Sequence, residues 1–463
     1  MVTLSNKISI IYNDAMTKDI KYTRRNRGNH MQKGGIPIFA GAQGCVFKPS
    51  LKCKNRPRNY NDGNISKLGE MKSVEAEMRE YEQIKRYLMN IKNYKQYFSV
   101  QAAICEPDRL EPHDLVNFDD VCINFKLQGL NISGANVNEN LSKLRMINMP
   151  DLGIDLKKWM DQTGFNAERI RKLNDHISTL LIHAVGPMNR LGVIHNDLKS
   201  ENVMIDRNND VRIIDWGLAG ISTAKQVIPV RHFMNNPVTF NRPFSTMVIS
   251  TDVLELYSSI VLKPMTTPSE LTMEQIKHFT RAVYKEYIDA HNIDGYKYLQ
   301  YIFKSMFGSN DAITTEMLVD TVATYNAEIL HHFTDRANRT FRMKEYFSNV
   351  YRYNTDVWGL MSVFYTIFMM PRKSFAMSDA AHEDMMNRYR TLFRTVVFAN
   401  GHKRMNVEHI VQQLRQISDA VGKIRLQKNR TVRFNLNHRR LRNSIKRIPT
   451  PYPRRVHTRI RIH

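Results

Sequence analysis

The chain has 463 residues, of which 42% are hydrophobic and 24% charged. Such a length suggests two or three folding units or one large two-lobed unit, and the apolar share excludes global disorder and low-complexity fibre. Lys and Arg outnumber Asp and Glu by 68 to 44, a formal charge of +24, and fourteen of those cations lie between Lys423 and the C-terminus, where no acid occurs. That tail is either a solvated extension or an arm for polyanions such as nucleic acid, an anionic membrane face or an acidic protein.

Cys45, Cys53, Cys105 and Cys122 form no CxxC pair and show no metal-ligand spacing with His. Free buried thiols in a reducing compartment are therefore expected. The N-terminus carries no apolar signal run. The longest apolar stretch, Val357 to Met370, ends at Pro371, short of the ~20 residues that a spanning helix needs. A soluble intracellular protein without a membrane span is the expectation.

Residues 1–33 are polar and basic without periodicity and read as an extension. Gly34 to Phe47 holds two short strand-like runs around Gly41 and Gly44, and Asn64-Ile-Ser-Lys-Leu reads as a further strand. Ser73 to Ile91 is expected to be helical, since Val74, Met78, Tyr81, Ile84, Leu88 and Ile91 recur every three or four residues. Between 105 and 142, loop-like composition brackets a strand candidate at Val121–Leu127. Asn166 to Leu191 reads as a long amphipathic helix, and a strand–loop–strand block follows from Val193 to Leu218. Residues 250–345 are mainly helical in pattern, Val357–Met370 is a strongly apolar helix, and helical patterns continue to about Ile417.

The chemistry concentrates in Gly192-Val-Ile-His-Asn-Asp-Leu-Lys-Ser-Glu-Asn-Val-Met-Ile and Val211-Arg-Ile-Ile-Asp-Trp-Gly. Phosphoryl transfer needs a carboxylate to take the proton of an attacking hydroxyl, oxygen ligands for Mg²⁺, and a cation near the transferred group. Asp197 suits the first role, Asn202 and Asp215 the second, and Lys199 the third. Five positions separate Asp197 from Asn202, enough to cross one tight loop. Thirteen separate Asn202 from Asp215, enough for a hairpin turning at Asp206-Arg-Asn-Asn-Asp that returns the second ligand beside the first.

These residues resemble the protein kinase superfamily, with His195-Asn-Asp-Leu-Lys-Ser-Glu-Asn202 as its catalytic loop and Asp215-Trp-Gly217 as its metal-binding triplet. The resemblance spans roughly residues 34–420. It implies an α+β, bilobal fold: a small β-rich N-lobe with its hinge over 34–153 and a larger helical C-lobe over 154–422. A helical insertion of about 250–345 and a basic tail over 423–463 complete the organisation, the insertion being long enough for a small unit of its own.

By the same resemblance, Ile38-Phe-Ala-Gly41-Ala-Gln-Gly44-Cys-Val46 is the phosphate-covering loop. It departs at Phe39, where the first glycine belongs. Its glycines would admit backbone N–H groups to ATP phosphates, and Val46 would cap the adenine. Lys67 is expected to grip the phosphates; Lys48 competes, but Pro49 would spoil a central strand there. A helix glutamate should hold that lysine, Glu80 being preferred and Glu77 the alternative. The stretch around Met149 falls at the hinge whose backbone would bond adenine. Asp356 would tie down the catalytic-loop backbone.

Asn196 replaces the usual Arg beside the catalytic Asp, which argues against switching by a phosphorylated activation segment. No Ala-Pro-Glu element follows Gly217; Asn236-Pro-Val-Thr-Phe-Asn-Arg-Pro-Phe-Ser245 occupies the substrate-docking place. These departures resemble the divergent kinases of large cytoplasmic DNA viruses. The resemblance implies an ATP- and Mg²⁺-dependent serine/threonine protein kinase acting on a protein substrate, in host cytoplasm or virion. Two other functions remain open: a kinase-fold scaffold that binds nucleic acid or capsid through its tail, and a kinase of small molecules or lipids.

Overall fold

The computed structural model describes residues 35–423 apart from 42–43, 56–62, 101, 163, 223–238, 268–269, 292–293 and 309–310. The chain divides into two units, Met1–Ile424 and Arg425–His463. The extension at 1–33, the tip of the glycine loop and the basic tail beyond Lys423 lie outside the described residues.

Five antiparallel strands build the N-terminal sheet in the order β1-β2-β3-β5-β4. They are β1 (Ile36–Gly41), β2 (Gly44–Lys48), β3 (Asn64–Glu70), β4 (Ala103–Cys105) and β5 (Leu144–Pro150). Strand alternation sends Lys67 and Leu68 to opposite faces. Lys67 pairs in register with Ile147, which packs with Val74 and Met78 of helix α1 (Met71–Leu88), and a one-turn helix α2 (Tyr94–Tyr97) follows before β4. Leu68 joins Cys45, Phe47 and Met146 in a core on the other face.

That second face is closed by residues 105–142. The expected strand at Val121–Leu127 is instead two helical turns, Phe118–Val121 and Asn124–Leu127. Asn117 starts the first in a left-handed conformation (φ 58°), and the rings of Phe118 and Phe125 stack at 5.9 Å. Burial of these rings overrides the alternating pattern.

The cysteines also depart from expectation. Cys45 is bonded to Cys122 and Cys53 to Cys105, so none of the four is a free thiol. Both bonds fasten the covering segment to the strand β2 region, so the four cysteines are not the free thiols that a reducing compartment would keep.

The second lobe starts at β6 (Ile154–Asp155) and α3 (Leu156–Asp161), which is capped by Asp155 accepting from the Lys158 amide. Helix α4 (Ala167–Leu180) is capped by Asn166 and buries Ile170, Leu173, Ile177 and Leu180. It continues through a wider π turn, Leu181–Val185, into α5 (Gly186–Arg190). Short strands β7 (Val193–Ile194), β8 (Val203–Ile205) and β9 (Val211–Ile213) frame the polar loop, and β10 (Gly220–Ile221) pairs with β7.

The inserted region forms α6 (Met273–His291), α7 (Asp294–Phe307) and α8 (Asp311–Phe333). It does not make a core of its own. Val283, Ile302, Phe303, Leu318 and Val322 belong to the same cluster as Leu173, Trp358 and Leu414. Tyr325 and Phe244 meet Trp358 edge-on at 5.8 and 4.8 Å. The apolar run is helix α9 (Arg352–Met361), a 3₁₀ turn and a further helix to Met369, buried as core. Among the described residues no helix is long and apolar enough to cross a membrane. Helices α10 (Asp379–Leu392) and α11 (Val407–Lys423) complete the lobe, with Asn174 of α4 bonded to Leu414 O, Ser418 and Tyr389.

Candidate active site

The loop between β7 and β8 is held from below by one carboxylate. Asp356, fully buried, accepts from the backbone N–H groups of His195 and Asn196, each at 2.9 Å, and from Asn189 Nδ2 at 2.7 Å. Burial pushes its carboxyl above the usual range, against the pull of His195 and these donors. Three donors on one buried acid fix the loop backbone, including Asn196 in a left-handed conformation at φ 63°.

Above that anchor, Asn202 donates from Nδ2 to Asp197 O at 2.7 Å and to Asp197 Oδ2 at 3.0 Å. Lys199 Nζ reaches the same Oδ2 at 2.9 Å. Burial alone would raise the Asp197 carboxyl, but Lys199, the charge of Arg242 and the amide of Asn241 outweigh it and hold it below the usual range. Lys199 is likewise lowered by burial yet carried above the ordinary lysine value by Asp197.

The hairpin closes as its spacing suggests. Val203 faces Ile213 and Ile205 faces Val211, while Asp206 accepts from the amides of Asn208 and Asp210 and from Arg212. Ile214 N then bonds Asn202 O at 3.0 Å, which brings the start of Asp215-Trp-Gly alongside Asn202. Asp215 is exposed and left-handed at φ 65°, a conformation that Asp tolerates better than most residues. Trp216 packs 4.8 Å from the His195 ring and 5.7 Å from Phe98. Its Nε1 shares the Ser99 carbonyl with Tyr81 of α1, so one acceptor links that helix to the triplet.

In the N-terminal lobe, Lys67 Nζ lies 2.7 Å from both carboxylate oxygens of Glu77. The preferred partner, Glu80, is exposed instead, because Glu77 is the residue that α1 turns toward the Lys67 face of the sheet. Lys48 pairs with Asp151 at 2.5 Å. Gly41 and Gly44 face each other across β1 and β2, as do Phe39 and Val46. A Cβ on Gly44 would sit 2.6 Å from Leu68 O, so close strand packing already demands glycine there. Ile38 is exposed, and Met149 is half-buried opposite Ile65.

Two residues of the segment after the triplet enter the site without having been singled out in the sequence. Asn241 donates to Asp197 Oδ1 at 2.8 Å and to Leu198 O at 3.2 Å, and buried Arg242 donates from Nε to Asn196 O at 3.1 Å. The signal available was a polar pair in an aromatic run, Phe240-Asn-Arg-Pro-Phe.

The arrangement is one carboxylate held ionised, two oxygen-bearing side chains beside it and a lysine–glutamate pair on the other lobe. The family described as "Protein kinase domain" matches residues 136–239. The fold is that of a protein kinase. The matched kinase domain segment contains Asp197, Asn202 and Asp215 but neither Lys67 nor Asp356.

Curated kinases show shorter likenesses. The chain is 34% identical over 67 residues to the serine/threonine-protein kinase ppk35 of Schizosaccharomyces pombe, covering 14% of this chain and 11% of that one. It is 51% identical over 39 residues to the hormonally up-regulated neu tumor-associated kinase homolog B of Xenopus laevis, covering 8% and 6%. It is 42% identical over 48 residues to the probable serine/threonine-protein kinase KIN1 homolog of Enterocytozoon bieneusi, covering 10% and 8%. The matches thus span about a tenth or less of those kinases' length, and they support the protein kinase superfamily.

Proposed function

We propose that the chain is an ATP- and Mg²⁺-dependent protein kinase that phosphorylates serine or threonine hydroxyls. The observation that carries this is the setting of Asp197. Its carboxylate is kept ionised and aimed by Asn202, Lys199 and Asn241, on a loop pinned by Asp356. Each carboxylate oxygen has two lone pairs, so these contacts leave room for one more donor. The acceptor hydroxyl gives its proton to Asp197 as its oxygen bonds to the γ-phosphorus of ATP; the β–γ bridging bond breaks and ADP leaves. Lys199 is placed to offset charge on the transferred group, and Lys67, oriented by Glu77, to hold the α/β-phosphates.

The donor set suits a hard cation. Asn202 spends both amide contacts on Asp197, which leaves its carbonyl oxygen to coordinate, and Asp215 is an exposed carboxylate. Among the described residues no group of three or more His, Cys, Asp or Glu side chains could hold a metal, so water and phosphate oxygens would complete the shell. Mg²⁺, when bound, neutralises charge on the phosphate oxygens. The glycine loop, Val46 and the backbone near Met149 are proposed to enclose the nucleotide, with Ile38 at the rim.

The test is transfer of labelled phosphate from ATP to generic protein substrates by the purified chain, followed by phosphoamino-acid analysis. Label on serine or threonine, dependent on Mg²⁺, supports the proposal; no transfer to any protein contradicts it.

One observation favours a second function: fourteen Lys and Arg without an acid from Lys423 onward. A chain ending at Gly422 that loses salt-dependent DNA binding but keeps transfer would assign polyanion binding to the tail. The finer likeness to kinases of large DNA viruses, carried by the docking segment and the insertion, is a proposal of origin that detection of the chain in purified virions would support.

A further inference from the structure

Away from the active site, two adjoining cavities of 540 and 470 Å³ share Asn90 to Asn93, just beyond the C-terminal end of α1. The smaller is walled on its other side by the catalytic lobe, through His183 and Leu191 at the two ends of the α5 segment. Its floor is apolar: Ile91 is buried, and Pro187 and Leu191 line it. Its rim is cationic, with Lys92 on one side and Arg190 on the other, and Lys95 lines the larger cavity.

The sequence keeps acids away from both walls. None occurs from Gln83 to Cys105, nor from His176 to Asn196. Three of the nearby acids are committed elsewhere: Glu82 to Lys85, and Asp206 and Asp210 to Arg212, whose Nε reaches Lys95 O. Among the described residues Lys92, Lys95 and Arg190 make no ion pair. Three uncompensated cations around a concave apolar floor create a positive potential focused on a hydrophobic seat.

We propose that this groove docks an acidic segment of a partner protein, with one apolar side chain seated on Ile91 and Leu191 and its flanking carboxylates against Lys92, Lys95 and Arg190. Charge complementarity selects the acidic partner, and the apolar floor calls for a side chain that a phosphate backbone lacks. The rings available to stack a nucleobase are engaged with each other instead: Tyr97 and His183 lie 5.7 Å apart at 14°. The partner would touch both lobes at once, at the end of the helix that carries Glu77. Docking is independent of phosphoryl transfer, so failure here leaves the proposed activity standing, and the reverse.

The test uses the full chain with three fluorescein-labelled probes at physiological salt: an acidic peptide, Glu-Glu-Asp-Leu-Glu-Glu-Asp; the same peptide with glycine for leucine; and a single-stranded oligothymidine. The variant is Lys92→Glu with Arg190→Glu, both at the rim, with its melting temperature checked against the parent. Replacing both with glutamine gives a milder second variant. Peptide affinity is expected to fall about 10-fold or more in the charge-reversed chain and less in the glutamine one, to fall again for the glycine peptide, and oligothymidine binding to stay unchanged. A photo-crosslinking group on the peptide should label residues 89–97 or 183–191. Peptide affinity that ignores both variants, or a loss confined to oligothymidine, overturns the proposal.

Discussion

Asn241 donates from its side-chain amide to Asp197 Oδ1 at 2.8 Å, so a residue 44 positions downstream fixes one oxygen of the carboxylate while Lys199 and Asn202 hold the other. Removing that donor frees the carboxylate to rotate without removing a charge. Asn241→Ala is expected to lower kcat about 10–100-fold with the KM for ATP little changed, read in a steady-state transfer assay. An unchanged kcat would show that Asn241 does not position the base.

The lysine–glutamate pair separates two neighbouring acids. Glu77→Gln should weaken the grip on the nucleotide and slow transfer by about 10-fold or more, whereas Glu80→Gln, on an exposed side chain, should leave both near the parent value. ATP titrations of the two variants check this. The opposite order would return the role to Glu80.

Much of the site was legible because its residues are close in sequence. The spacing of Asp197, Asn202 and Asp215 is a local property, and a hairpin of short apolar strands realises it. The choice between Glu77 and Glu80 was not local. They lie one helical turn apart on α1, and the decision comes from β3, whose register with β5 sets the face on which Lys67 emerges. The cysteines show the same limit more sharply. Separations of 77 and 52 residues say nothing about pairing until residues 105–142 fold over the sheet. Val121, Ile123, Phe125 and Leu127 alternate like a strand, but the buried stack of Phe118 on Phe125 makes helical turns instead. The insertion's helices were legible from periodicity, and their sharing of one core was not.

Those disulfides carry a stability consequence. Each closes a long loop, and losing one from the N-terminal lobe typically costs about 2–4 kcal/mol. Cys45→Ser with Cys122→Ser should therefore lower the melting temperature, and reductant should lower that of the parent. Thiol titration in denaturant without reductant should find none of the four cysteines free. Four titratable thiols would contradict the pairing.

The pH dependence follows from the Asp197–Lys199 pair. Asp197 is held below its ordinary value, so its contribution to stability is complete above the unfolded carboxylate pKa and is lost only as pH falls through the lower folded one. Lys199 is raised, so its contribution is complete below the ordinary lysine pKa and is lost only as pH rises through the higher folded one. Neither group titrates near neutrality, and kcat/KM should show no limb from this pair between about pH 5.5 and 9. Lys199→Met should bring an acid limb upward in pH. A parent profile with an acid limb near neutrality that disappears in Asp197→Asn would place the Asp197 pKa where the pair forbids it.

The most direct measurement compares the parent chain with Asp197→Ala in single-turnover transfer from labelled ATP in the presence of Mg²⁺, alongside ATP-induced shifts in melting temperature. The expected result is a fall in transfer of about 10²–10⁴-fold with the ATP-induced shift retained, since the role proposed for Asp197 is to take the acceptor proton and not to hold the nucleotide. Transfer that survives the substitution unchanged would contradict the assignment of Asp197 as the base.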